Sequence, residues 1–123
     1  MPDPLQFLFE AVRAGLALPQ VEWGRHAEGP RSLVGKLRGR GRREQRRGPE
    51  ARARLQRVIA LWDRVLPGQP SCYRRALLEI RLDAGAAEEQ LHMGLRVPGG
   101  PRSGHAWLGA DAPSETYDVQ LDM

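Results

Sequence analysis

Cys72 is the only cysteine in the chain, and it stands in Pro70-Ser71-Cys72-Tyr73-Arg74-Arg75. Serine is a preferred N-cap, so this segment reads as the opening of a helix with the thiol on its first turn. There the unpaired backbone N–H groups and the helix dipole favour the thiolate, the nucleophilic form. A lone cysteine excludes an internal disulfide and a cysteine-rich zinc site, leaving an inert packed thiol, a surface thiol or a nucleophile. Downstream lie Gly104-His105-Ala106-Trp107 and Tyr117-Asp118-Val119. Thiol, imidazole and carboxylate are the parts of nucleophilic acyl transfer: one attacks a carbonyl, one moves the proton, one fixes the tautomer of the base. The small neighbours of His105 leave room for a helix end to approach, which makes it a better base than His92, expected to face solvent. Asp118 suits the orienting role if its strand pairs with that of His105, and Asp111 and Asp122 are poorer alternatives. The Cys72 backbone N–H is one oxyanion donor, with Gln69 and Trp107 as candidates for a second donor or a substrate contact. This chemistry calls for no metal and no cofactor.

The elements that must position these groups follow from periodicity. Leu5, Leu8, Phe9, Val12 and Leu16 recur at helical spacing after Asp3, which predicts a core-packing helix that Pro19 stops. Residues 21–31, with Gly24, Gly29 and Pro30, read as loop, with His26 solvated. Pro49-Glu50 opens a strong helix whose apolar face is Leu55, Val58, Ile59, Trp62, Val65 and Leu66, with Arg52, Arg57, Asp63 and Arg64 off it. The Cys72 helix is expected to run to about Asp83, to be buried on more than one side, and to end at Gly85. Alternation then predicts strands at Leu91–Val97, His105–Gly109 and Tyr117–Leu121, joined as an antiparallel meander. The expected class is α+β, with N-terminal helices and a central cysteine-bearing helix packed on a small antiparallel sheet. Residues 1–48 read as helix plus Arg/Gly-rich connector and 49–123 as the core, within one compact domain.

Composition limits the partners. At 123 residues, 41% hydrophobic and 28% charged, the chain is long enough for one modest core. Nothing approaches a membrane-spanning run and no targeting signal opens the chain, so a cytoplasmic location is expected. Lys36, Arg38, Arg40, Arg42, Arg43, Arg46 and Arg47 face only Glu44 within the block 32–48, where glycines at 35, 39 and 41 argue against a helix. The first reading of this block is a solvated connector; an acidic partner comes second and nucleic acid third. No aromatic residue interleaves with the arginines to stack bases.

The order Cys72, Gly104-His105-Ala106-Trp107, Tyr117-Asp118, preceded by Val65-Leu66-Pro67 and joined through Gly85 to Gly94-Leu95-Arg96-Val97, resembles the transglutaminase-like cysteine protease superfamily. Over about residues 50–123 it is most similar to the leader peptidases of lasso-peptide biosynthesis, the microcin-processing B proteins of bacteria. The resemblance implies a papain-like fold with Cys72 as nucleophile, His105 as base and Asp118 as orienting carboxylate. It implies a thiol peptidase that cuts the leader from a ribosomally made precursor of an antibiotic-type peptide. A separate small leader-recognition protein and a ring-closing cyclase are the implied partners. Tyr73-Arg74-Arg75 and the acidic stretch from Asp83 to Gln90 depart from the family pattern.

Overall fold

The computed structural model describes residues 4–66, 71–96, 103–109 and 119–123, with side chains described at all of these except 94–96, 103–105 and 119–122. Among them five helices precede three strands: α1 (Pro4–Ala27), α2 (Pro30–Gly41), α3 (Pro49–Val65), α4 (Cys72–Leu82), α5 (Ala84–Glu88), β1 (Leu91–Arg96), β2 (Ser103–Leu108) and β3 (Val119–Asp122). The α+β order, helices first and a small antiparallel sheet last, is the one the periodicity predicts.

α4 is the hub. Seven of its eleven residues are buried, and it packs against α1, α2, α3, α5 and β2. A helix covered on that many sides has its axis set by its neighbours, which in turn sets where its first turn points. Its end is not at Gly85. Asp83 leaves the helix in extended backbone and caps α5 instead, its carboxylate accepting the Gly85 N–H at 3.0 Å.

The N-terminal third departs most from expectation. Pro19 lies inside α1 and does not stop it, and residues 21–27 continue the helix. A helix-interior proline costs about 3 kcal/mol. Burial of Leu18 and Val21, at roughly 1.5–3 kcal/mol each, offsets it. Gly24 adds a close approach to α2, since a Cβ there would lie 2.3 Å from Leu33 Cδ1.

The Arg/Gly block is likewise not a solvated connector, because its first part is α2. Leu33, Val34 and Leu37 are buried, which outweighs about 1 kcal/mol per glycine in a helix. Gly41 is required where α2 meets α4: a Cβ at this position would stand 1.8 Å from the Ile80 carbonyl oxygen. Several of the basic side chains turn inward. Arg38 donates to the carbonyls of Ala87 (2.7 Å), Glu89 (2.6 Å) and Met123. Arg47 pairs with Glu10 and donates to Leu82 O at 3.2 Å.

The face of α1 expected in the core is outside it. Leu5, Leu8, Phe9, Val12 and Leu16 are exposed, and the buried face is Glu10, Ala14, Ala17, Leu18, Val21 and Gly24. Small side chains let this face approach α3 and α4 closely. At Gly15 a Cβ would sit 2.8 Å from the Trp62 ring, whose Nε1–H donates to Ala11 O at 2.8 Å. On α3, Leu55, Val58 and Ile59 are buried as expected, but Val65 is exposed and Asp63 is buried.

The sheet order is β2-β1-β3, both pairings antiparallel. The expected meander, with second and third strands paired, is therefore not formed. β1 follows α5 directly and takes the centre, with Gly94 opposite His105 on one side and Gln120 on the other.

Candidate active site

Ser71 caps α4, its hydroxyl accepting the Arg74 N–H at 3.2 Å, so Cys72 occupies the first turn as the residue types predict. The cap is itself anchored. Asp63, reaching up from α3, accepts the Ser71 N–H at 3.0 and 3.2 Å and the Arg74 Nη1–H at 3.0 Å, with Arg75 Nε 3.5 Å away. Arg74 also pairs with Glu22 of α1. Asp63 and Arg74 are both almost fully buried, so this pair gains strength from the low local dielectric and holds three helices at the start of α4. Burial raises the Glu22 carboxyl, but hydrogen bonding from Arg74 and the charge of Arg25 outweigh it and hold the group below the usual carboxylate range.

The thiol meets β2. The Ala106 backbone N–H donates to Cys72 Sγ at 3.2 Å, and Ala106 is the residue after His105. The sequence reading of small residues around His105 thus has its physical counterpart: the strand passes within hydrogen-bond distance of the sulfur. The His105 backbone lies in β2, while its side chain is outside the described residues, as are Gln69, Asp111 and Asp118. The pairing of the second and third strands, the condition for expecting Asp118 beside His105, is not formed, since β1 lies between β2 and β3. Asp122 lies in β3, opposite His92.

Beside the thiol is an open pocket of about 260 Å³ between α3, α4 and β2. Trp107 lines it with Cys72. Gln56, Arg75 and Glu79 line it too, and residue spacing alone did not single them out. Glu79 is buried and accepts from Gln56 Nε2 at 2.9 Å and Arg52 Nε at 2.8 Å. Helical arithmetic carries the signal after the fact, since Cys72, Ala76 and Glu79 fall on one stripe of α4. Arg52 also binds Glu89, at 2.8 Å through Nη1. That hydrogen bond, against the cost of burial, raises the guanidinium and lowers the Glu89 carboxyl. His92 is not turned to solvent as alternation suggested. It is half-buried and stacked on Trp107 with ring centroids 5.3 Å apart, its Nε2 3.1 Å from Gly109 O.

A family model described as the transglutaminase-like superfamily matches residues 15–118. The chain belongs to that superfamily. The match takes in Cys72, His105 and Asp118, and it also spans the second half of α1 and all of α2, which the sequence reading left outside the core. Membership of the transglutaminase-like superfamily supports the coarse reading of a cysteine-protease-like fold and a peptidase or acyltransferase type of chemistry. No curated protein and no solved structure matches the chain significantly. Among the described residues no helix is long and apolar enough to cross a membrane.

Proposed function

We propose that this protein is a thiol-dependent peptidase of the lasso-peptide leader-peptidase type. Cys72 attacks the scissile carbonyl, His105 takes the thiol proton and returns it to the leaving amine, and Asp118 orients the imidazole. The core peptide departs as that amine, with a free amino terminus for a separate cyclase, and water then hydrolyses the thioester to release the leader and restore Cys72. A small leader-recognition protein delivers the precursor. The observation that carries this reading is the contact between the capped first turn of α4 and β2, with Ala106 N–H on Cys72 Sγ and His105 as its immediate neighbour. The pocket bounded by Trp107, Gln56 and Glu79 gives the substrate a place beside the sulfur.

The superfamily match favours a second reading equally well, an acyltransferase in which an amine replaces water as the acceptor. The acyl-enzyme step is common to both, so product mass separates them: hydrolysis adds one water and transfer adds the amine. A non-catalytic basic binding module is the third reading. The inward pairing of Arg38 and Arg47 weakens it, because those charges are committed to the fold.

The test is incubation of the protein with leader-bearing precursor peptides and the recognition protein, followed by mass spectrometry. Cys72→Ala is expected to abolish product while leaving the melting temperature within a few degrees of wild type. Full turnover by that variant overturns the assignment.

A further inference from the structure

α1 is apolar on two faces, and the fold buries one of them. Its outward stripe runs Leu5, Phe9, Val12, Leu16, Pro19, Trp23 and His26, spaced alternately four and three residues apart. That is a repeat of 3.5 residues, the seam that packs against another helix. None of these seven side chains carries a carboxylate, guanidinium or ammonium. Leu5, Phe9, Val12, Leu16 and Trp23 are 73%, 64%, 53%, 76% and 78% exposed, and Leu8 at 60% widens the stripe. Arg13 places its guanidinium over the Phe9 ring, 5.9 Å from the centroid, and the rest of the apolar stripe lies open to water, which is unfavourable in proportion to its area.

We infer that this face is a dimer interface, covered by α1 of a second copy of the chain. The area argues for that occupant. Phe9 and Trp23 carry roughly 150–250 Å² each when fully exposed, and with the four aliphatic side chains, exposed to the degree given, the stripe presents on the order of 800 Å². That exceeds the roughly 300–600 Å² of the largest patch on a typical monomer and equals the roughly 800 Å² each partner contributes to a standard interface. The stripe is also self-complementary. A two-fold interface sets the same surface against itself, which is unfavourable for a charged face and favourable for a neutral, apolar one. The 24 residues of α1 span about 36 Å, so three heptads are available for the contact.

The experiment is sedimentation equilibrium of the full chain over a wide concentration range, with wild type beside Leu16→Glu and Phe9→Glu. Both side chains are mostly exposed in the monomer, so the substitutions leave its core intact; circular dichroism and thermal melting check that. Wild type is expected at twice the monomer mass, and each variant is expected to weaken association by about a hundredfold or more, as for a residue central to an interface. A wild-type chain that stays monomeric overturns the inference, including one that instead binds liposomes or a different protein. So does a dimer indifferent to both substitutions.

Discussion

At the residue scale, the side chain that matters most after Cys72 is Asp63. It looks like a polar position off the apolar face of α3, yet it is buried and accepts hydrogen bonds from the backbone at the mouth of α4 and from Arg74. Removing one partner of a buried ion pair costs about 3–5 kcal/mol; Arg74 would keep Glu22, while the Ser71 N–H would lose Asp63 as its acceptor. Asp63→Ala is therefore expected to lower stability by that order in urea melts, and to lower the alkylation rate of Cys72 as the first turn loses its anchor. The place of Cys72 on a capped first turn was legible in the sequence because Pro-Ser before Cys is local chemistry. Its contact with Ala106 was legible only as room left by small residues, since a 34-residue separation has no local signature. Gln56 and Glu79 were missed for the same reason: a polar residue lining a pocket reads like any polar residue on a helix.

The elements show where pattern and packing part. α3 and α4 carry large apolar residues at helical spacing and form as their sequences suggest. α1 instead packs largely through small residues, so its largest apolar side chains mark its outer face, while α2 packs through Leu33, Val34 and Leu37 with Gly41 at its contact with α4. Gly41 is the sharpest case. Read alone it weakens a helix; in the structure it is the only residue type that fits against Ile80 O. Gly41→Ala is expected to destabilise the protein by ~3 kcal/mol or more in chemical denaturation. Arg38, read as part of a solvated block, ties α2 to the end of α5 and to Met123. Hydrogen bonds from a charged group are worth about 1.5–3 kcal/mol, and Arg38→Met is expected to cost that much in the same assay. The strand order escaped prediction because the short link from α5 to β1, which seats β1 between the other two strands, has no counterpart in alternation.

For the whole molecule, ion pairs join parts distant in sequence: Arg47 to Glu10, Arg81 to Glu44, Arg52 to Glu79 and Glu89, Arg74 to Glu22. Acid should loosen this lattice. Glu89 and Glu22 bind their protons at lower pH in the folded protein than at the ordinary value of 4.5. Their contribution is thus complete above that value and is lost as pH falls through the lower folded values. The melting temperature is expected to fall over that acid window, and Glu89→Gln is expected to flatten the fall; a pH profile identical to wild type would contradict the role given to the Arg52–Glu89 pair. Among the described residues α1, α2, α3, α5 and β2 all pack against α4.

Whether Cys72 and His105 work as a pair, as proposed, is tested most directly by iodoacetamide alkylation of Cys72 at neutral pH, comparing wild type with His105→Ala by mass spectrometry. The thiol is expected to react readily in wild type and at least tenfold more slowly in the variant, with both proteins folded. Equal rates in the two, whether fast or slow, would contradict the pairing and leave Cys72 as a packing residue beside β2.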